Sequence, residues 1–194
     1  MHSNKGVLRI VGGKYRSRRL RVPARPGLRP TPDRIRETLF NWLGQELSGL
    51  ACLDLFAGSG ALGFEAASRG AAQVTLVERD RDALAELERS RDALGASQVE
   101  IVRADARAFL ADARRASRFD VVFLDPPFRQ NALPALLEVL PARLRAGARV
   151  YVESEAPVEV PRGWTELRRA RAGQVSFQLL RWDAHDQSGV PGNV

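Results

Sequence analysis

The fold of this chain is constrained most by its pattern from residue 51 onward, where short apolar runs alternate with amphipathic stretches. Such alternation is typical of a doubly wound parallel sheet with helices on both faces. Seven strands are predicted near residues 51–56, 73–77, 99–102, 120–124, 149–153, 166–171 and 176–182. Helices are predicted between them, near residues 62–69, 81–93, 106–113 and 132–144.

Length and composition limit the class of protein. A chain of 194 residues suits one α/β domain with a short appendage. No apolar run is long enough to cross a bilayer, and no export signal is recognised, so we expect a cytoplasmic protein without membrane contact. The single cysteine, Cys52, cannot form an internal disulfide. Because His2 and His185 have no cysteine at ligand spacing, we expect no metal.

Positive charge is concentrated at the N-terminus. Residues 1–37 contain eleven Lys and Arg against two acidic residues, a net charge of +9, and the remaining residues carry −2. A basic arm beside a near-neutral body is the pattern expected of a protein that neutralises phosphates. A solvated basic tail is the alternative.

The chain divides into three predicted regions. Residues 1–48 form the basic arm, 49–182 the main domain and 183–194 a polar, disordered tail. Within the arm we expect a hairpin around Gly12-Gly13, an irregular connector over 23–30 and then a helix. Thr31 is its predicted N-cap, helical spacing runs to Leu47, and Gly49 follows as the stop.

A glycine-rich turn follows the first predicted core strand, in the run Asp54-Leu55-Phe56-Ala57-Gly58-Ser59-Gly60. Glycines there let the backbone turn tightly and approach a ligand at a helix N-terminus. With Gly63 the spacing also fits the dinucleotide fingerprint, so nucleotide binding remains an alternative. Asp54 argues against it, because a carboxylate at the strand end suits a cationic amino-acid group better than a pyrophosphate.

Two more acids end the next two predicted strands. Glu78 is placed to accept hydrogen bonds from ribose hydroxyls. Asp105 could accept from an adenine amino group while the amide of Ala106 donates to the ring. A helix N-cap is the simpler interpretation of Asp105.

The run Asp125-Pro126-Pro127-Phe128 follows the fourth predicted strand. In a doubly wound sheet the first and fourth strands flank the switch point, so Asp54 and Asp125 are expected to face one cleft. The prolines hold an acidic side chain and a main-chain carbonyl side by side, with an aromatic ring next. That set fits a planar amine stacked on Phe128, although a Pro-Pro turn that merely ends the strand is the alternative.

At these residues the chain resembles class I S-adenosylmethionine-dependent methyltransferases, whose amino-group members carry an Asn/Asp-Pro-Pro-aromatic motif. It is more similar still to the RsmD family, over roughly residues 8–182. The matching stretches, besides the motifs above, are Arg9-Ile10-Val11-Gly12-Gly13, Gly27-Leu28-Arg29-Pro30-Thr31 and the run from Asp33 to Leu43.

The resemblance implies a Rossmann-like fold: a seven-stranded, mostly parallel sheet with helices on both faces and a small N-terminal hairpin-and-helix extension. It implies methyl transfer from S-adenosylmethionine, leaving S-adenosylhomocysteine, to the N2 amino group of one guanine in 16S ribosomal RNA. The implied partner is that RNA within the 30S subunit or an assembly intermediate, with neighbouring ribosomal proteins, and the implied protein is a monomer.

The predicted site residues fall into three groups. The cofactor group is Asp54, Phe56, Ala57, Gly58, Ser59, Gly60, Glu78, Arg79, Asp105 and Ala106. The catalytic group is Asp125, Pro126, Pro127 and Phe128. The RNA-binding group is Lys14, Arg16, Arg18, Arg19, Arg29, Arg34 and Arg36.

Other functions remain open from the residues alone. An N6-adenine or N4-cytosine DNA methyltransferase would use the same motif on a flipped base. A non-catalytic RNA-binding assembly protein could keep the fold as a relic, and a nicotinamide dehydrogenase could use the glycine turn. Without the resemblance, the chemistry specifies only an exocyclic amino group.

Overall fold

The computed structural model describes residues 6–22, 31–127 and 132–184. Its N-terminal layer is a hairpin of β1 (Val7–Arg9) and β2 (Arg19–Arg21), followed by α1 (Asp33–Leu43). The two strands pair antiparallel with Leu8 opposite Leu20, and both leucines are buried. The predicted hairpin is therefore confirmed, and its apolar side packs into the main core.

The main sheet has seven strands in the order β5-β4-β3-β6-β7-β9-β8. They are β3 (Ala51–Asp54), β4 (Gln73–Glu78), β5 (Val99–Arg103), β6 (Phe119–Leu124), β7 (Leu144–Ser154), β8 (Trp164–Ala172) and β9 (Val175–Trp182). The first five strands in that order are parallel, whereas β9 pairs antiparallel with both neighbours. The predicted doubly wound sheet is confirmed, with the switch point between β3 and β6.

Helices cover both faces of the sheet. They are α2 (Ala61–Ser68), α3 (Arg81–Leu94), α4 (Ala106–Ala111) and α5 (Leu133–Val139), the last continued by a 3-10 turn over Leu140–Arg143. One core contains Cys52, Phe123 and Tyr151 beneath α1 and α2. The other contains Leu53, Val122 and Val152 beneath α4 and α5. No helix among the described residues is long and apolar enough to cross a membrane.

The start of α1, its end and the start of the tail differ from the sequence-based prediction. Pro32 is the N-cap of α1 and no side chain caps the helix, so the predicted N-cap at Thr31 is wrong. Helix α1 ends at Leu43, because Gly44 adopts the left-handed conformation (φ +92°) and closes the helix; the predicted stop at Gly49 is wrong. Leu47 is still buried, but outside the helix. Asp183, predicted to lie in the tail, accepts hydrogen bonds from Thr165 and from Arg181. Residues 185–194 lie outside the described part of the chain.

A buried carboxylate on α2 holds the N-terminal layer in place. Glu65 is fully buried, and its two oxygens accept the amides of Val11 and Gly12 at 2.8 Å each. The same carboxylate pairs with Arg36 at 3.2 Å and with Arg69 at 2.9 Å. The hairpin loop is thus anchored through backbone amides, and two guanidinium groups balance the buried charge.

Candidate active site

Three acidic residues follow one another across neighbouring strand ends. Asp54 ends β3, Asp125 follows β6, and Glu153 lies near the end of β7. Because β3, β6 and β7 are adjacent and parallel, these residues meet at the carboxyl edge of the sheet. Burial raises the pKa of Asp125, and the nearby charges of Glu153 and Asp54 raise it further. The structure thus places Asp54 and Asp125 at the same edge of the sheet, and that both face one cleft stays a prediction.

Asp54 is almost completely enclosed, with 2% of its surface exposed. Its Oδ2 accepts a hydrogen bond from the amide of Gly63 at 3.1 Å, in the first turn of α2. Burial raises its pKa to about 7, because that bond offsets only part of the lost solvation. The carboxylate thus orients the glycine turn, and contact with a cationic ligand group remains a prediction.

Glu78 ties the glycine turn to the end of β4. Its Oε2 accepts the amide of Gly58 at 2.9 Å, and its Oε1 accepts the amides of Arg79 and Asp80 at the same distance. Oε1 therefore already accepts two amides, whereas Oε2 keeps a second lone pair for a ligand hydroxyl. Gly60 adopts φ +78°, and a Cβ there would lie 2.4 Å from the ring of Phe64. Only glycine therefore fits this turn.

The third predicted acid, Asp105, is the N-cap of α4. Its Oδ1 accepts the amide of Arg107 at 2.9 Å, and its Oδ2 lies 4.0 Å from the guanidinium of Arg79. The N-cap interpretation is thus confirmed. A cofactor contact through Oδ2 stays a prediction. The rest of the predicted cofactor group lies close in sequence to these acids: half-buried Phe56, buried Ala57, Ser59 and Ala106, and exposed Arg79.

Asp125 lies beside the switch point, followed by buried Pro126 and exposed Pro127. Proline at the next position keeps Asp125 extended. Burial and the charges of Glu153 and Asp54 raise its pKa well above the usual range. No basic side chain of the described residues pairs with this carboxylate. Phe128, the predicted stacking residue, lies outside the described residues.

A cleft of about 960 Å³ opens next to this motif. It is lined by Pro126, Pro127 and Glu153, by residues of α5, and by Trp164 and Trp182. The two tryptophan rings pack against each other with centroids 5.2 Å apart. A largely apolar cleft with a few polar groups at its wall is the usual form of a small-molecule or base pocket.

Sequence reasoning missed Glu153 and its neighbour Tyr151. The Tyr151 hydroxyl donates to Glu153 Oε2 at 2.9 Å in a buried setting. The signal was present, because Glu153 is a fifth acid at the end of a predicted strand, after Asp54, Glu78, Asp105 and Asp125. The described residues hold no cluster of three or more His, Cys, Asp or Glu that could bind a metal ion.

The predicted RNA-binding residues divide into two groups by exposure. Lys14, Arg16, Arg18 and Arg19 are exposed on the hairpin, Arg34 is exposed on α1, and Arg29 lies outside the described residues. Arg36 is different, because its side chain is completely buried. It donates to the carbonyls of Thr31 and Arg9 and to Asp33 and Glu65. The prediction that Arg36 contacts RNA is therefore wrong: it anchors the arm.

The carboxylates at this edge of the sheet fit S-adenosylmethionine better than a dinucleotide. Asp54, Glu78 and Asp105 provide only acceptors, which suit amino and hydroxyl groups. The run from Asp54 to Gly63 contains no lysine or arginine to receive a pyrophosphate. Gly58 and Gly60 both adopt the left-handed conformation, which lets the backbone turn tightly after β3.

Comparison with known proteins agrees with this geometry. The solved structure of yhhF from Escherichia coli superimposes with a TM-score of 0.83 at 44% identity, covering 92% of this chain and 99% of that one. Precorrin-6y C5,15-methyltransferase from Geobacter metallireducens GS-15 shares the fold at 17% identity, with a TM-score of 0.60 and coverage of 79% and 89%.

Sequence relatives extend over nearly the whole chain. Ribosomal RNA small subunit methyltransferase D of Escherichia coli (strain K12) is 44% identical over 192 residues, 96% of each protein. Its namesake from Haemophilus influenzae (strain ATCC 51907 / DSM 11121 / KW20 / Rd) is 42% identical over 183 residues, 91% of this chain and 95% of that one. A family model described as "Conserved hypothetical protein 95" matches residues 8–181.

The sheet order and the glycine turn after β3 define the class: the fold is the Rossmann-like fold of class I S-adenosylmethionine-dependent methyltransferases. The family is narrower than that class. This chain belongs to the RsmD family, that of ribosomal RNA small subunit methyltransferase D.

Proposed function

We propose that this protein transfers a methyl group from S-adenosylmethionine to the exocyclic N2 amino group of a guanine in 16S ribosomal RNA. The observation that carries the proposal is the position of Asp125, half-buried next to Pro126 at the switch point, with no cation paired with it among the described residues. The names of the relatives support a small-subunit ribosomal RNA as the substrate. The 30S subunit or an assembly intermediate is the proposed form of that RNA, in the cytoplasm.

We assign cofactor binding to the acids at or just after the ends of β3, β4 and β5. Glu78 and Asp105 would accept the hydroxyl and amino groups of the nucleoside, and Asp54 would face the amino-acid end. S-adenosylmethionine supplies a methyl group that its sulfonium centre makes electrophilic. The glycine turn from Gly58 to Gly60 allows close approach of the ligand to the backbone.

Asp125 and the Pro126 carbonyl act on the target amine. The lone pair of an exocyclic amine is delocalised into the base, so the nitrogen is a poor nucleophile. Two acceptors on its hydrogens return electron density to that nitrogen, and their fixed positions avoid reorganisation during the reaction. The raised pKa of Asp125 also suits its carboxylate to take the proton that the nitrogen loses after transfer.

The test is methyl transfer from labelled S-adenosylmethionine to 30S particles, naked 16S RNA and duplex DNA in parallel, followed by nucleoside analysis. We expect N2-methylguanosine in RNA. Asp125→Ala should lower the rate by about 100- to 1,000-fold, because it removes one preorganised acceptor. Cofactor affinity measured by calorimetry should stay close to that of the native protein.

Asp92→Ala is the matched control, since it removes an aspartate whose side chain is 70% exposed on α3. It should leave the rate unchanged. Methylation of DNA rather than RNA would replace the proposal with a DNA methyltransferase. Cofactor binding without transfer to any of the three substrates would instead favour a non-catalytic assembly protein.

A further inference from the structure

Glu153 presents a buried carboxylate with one oxygen unused. Only 5% of its surface is exposed, and its Oε2 accepts the Tyr151 hydroxyl at 2.9 Å. Its Oε1 accepts no hydrogen bond from any described residue, and this oxygen is not fully buried, so a ligand can reach it. A buried carboxylate without donors is unfavourable unless a ligand supplies them.

The position of Glu153 places it next to the target amine. Strands β6 and β7 are paired in parallel, with Leu124 opposite Val152. The next residues along the two strands are Asp125 and Glu153, and adjacent strands lie about 4.8 Å apart. Besides burial, the charge of Glu153 raises the pKa of Asp125, and Glu153 also lines the cleft beside Pro126.

The bases that carry exocyclic amines differ in what adjoins the amine on the Watson–Crick edge. In guanine the N2 amine adjoins N1–H, a second donor. In adenine and cytosine the amine adjoins an unprotonated ring nitrogen, which is an acceptor. Two neighbouring carboxylates can satisfy a donor–donor edge, whereas either of the other edges would set a lone pair against a buried negative charge.

We propose that Glu153 selects guanine by accepting a hydrogen bond from N1–H while Asp125 and the Pro126 carbonyl accept from the N2 amine. Tyr151 holds the Glu153 carboxylate in the orientation this requires. The inference rests on the proposed function and adds to it a residue that determines base specificity.

The experiment compares guanine with 2-aminopurine at the methylated position of the RNA. 2-Aminopurine keeps the exocyclic 2-amine but has an unprotonated N1. We expect the native protein to favour guanine by about 100-fold or more in kcat/KM, because an acceptor facing an acceptor leaves a buried charge unpaired. Glu153→Gln should reduce that preference to within about tenfold, because an amide can turn either its oxygen or its NH₂ towards the base.

Glu88→Gln is the matched control, an exposed glutamate on α3 that does not line the cleft. It should keep the native preference. If transfer to 2-aminopurine is too slow to measure, the ratio of the dissociation constants of the two RNAs replaces the ratio of rates. A purely structural role for Glu153 would lower activity on both RNAs by the same factor, and an unchanged ratio in Glu153→Gln overturns the inference. Failure of the native protein to methylate guanine RNA at all would instead reject the proposed function.

Discussion

At the scale of single residues, the buried and half-buried carboxylates of Glu65, Asp125 and Glu153 fall into two groups. Glu65 is neutralised by Arg36 and Arg69 and receives two backbone amides, so it holds structure. Asp125 and Glu153 face no cation among the described residues, and burial raises the pKa of each. Buried charge that is left uncompensated is costly, so its presence at a cleft marks a site where a ligand provides the missing partners.

The free-energy cost of an uncompensated buried charge should be measurable at Asp54. In the folded state its pKa is about 7, against 3.8 for an ordinary aspartate. Between those values the unfolded chain releases the proton and the folded chain retains it, so this group lowers stability as pH rises from about 4 to about 7. We expect Asp54→Asn to stabilise the ligand-free protein above pH 7 by at most on the order of 4 kcal/mol, and by little near pH 4.

Urea unfolding of the ligand-free native protein and Asp54→Asn over pH 4 to 8 measures that difference. Asp82→Asn, an exposed acid in the first turn of α3, serves as the control and should show no comparable trend. Asp54→Asn should also reduce the thermal shift produced by S-adenosylmethionine. A stability difference that does not vary with pH would show that the Asp54 carboxylate is not the cause.

The catalytic candidates could be predicted from the sequence because their signals are local. Asp54 and Asp125 stand between an apolar strand and a glycine or proline turn, which marks a strand end. Arg36 and Glu65 are 29 positions apart in the sequence, and no local motif near either residue predicts that they pair. The sequence therefore places Arg36 with the exposed arginines of the arm, from which only its burial distinguishes it.

At the scale of elements, the order of strands and helices followed from the apolar pattern, whereas helix ends depended on single conformations. Leu47 continues the helical spacing of α1, yet Gly44 and Gln45 both adopt positive φ and turn the chain away. Likewise the fifth helix gives way to a 3-10 turn at Leu140, with Pro141 next, rather than continuing to residue 144. Proline and glycine within an apolar pattern decided these ends.

Docking of the hairpin depends on Gly13. It adopts φ +73°, and a Cβ there would lie 1.9 Å from the carbonyl oxygen of Ser68. That oxygen also accepts the amide of Lys14 at 2.7 Å, so it cannot move without breaking the bond. We expect Gly13→Ala to displace the loop from α2 and to speed hydrogen exchange at the amides of Val11, Gly12 and Tyr15 by at least about tenfold, as a decrease of roughly 1.4 kcal/mol in local protection implies.

Gly49→Ala separates backbone strain from this steric clash. Gly49 adopts a similar φ of +78°, but nothing lies within 4 Å of its Cβ position. Its substitution should cost only about 1 to 2 kcal/mol of global stability, the usual penalty for a left-handed alanine. The hairpin amides should keep their native protection. Equal exchange in both variants would mean that the contact with Ser68 does not anchor the hairpin.

At the scale of the whole molecule, positive charge and catalytic chemistry occupy different layers. Residues 1–37 carry a net charge of +9, and the exposed cations among their described residues lie on the hairpin and α1, whereas the acids that form the site come from the sheet. A pocket rich in carboxylates repels phosphates, so a large RNA has to be held elsewhere on the surface. The Glu65 anchor joins the two layers, because it fixes the hairpin to the helix that starts at the glycine turn.

This division predicts that RNA affinity and cofactor affinity can be changed separately. Arg16, Arg18 and Arg19 are exposed on the hairpin, and no ion pair among the described residues neutralises them. Replacing all three by alanine should weaken RNA binding. It should also make log K fall less steeply with log salt concentration, by about 0.7 to 0.9 in slope for each phosphate that the arm no longer neutralises. Calorimetry should show unchanged affinity for S-adenosylmethionine.

A second triple variant removes the same number of positive charges, but from positions outside the arm. Arg89, Arg114 and Arg169 have side chains 65%, 90% and 47% exposed and lie outside the arm. If the arm contacts RNA directly, their replacement by alanine should affect binding and its salt slope far less than replacement of the hairpin arginines. If both triple variants weaken binding equally, the long-range field of the protein attracts RNA and the hairpin makes no specific contact.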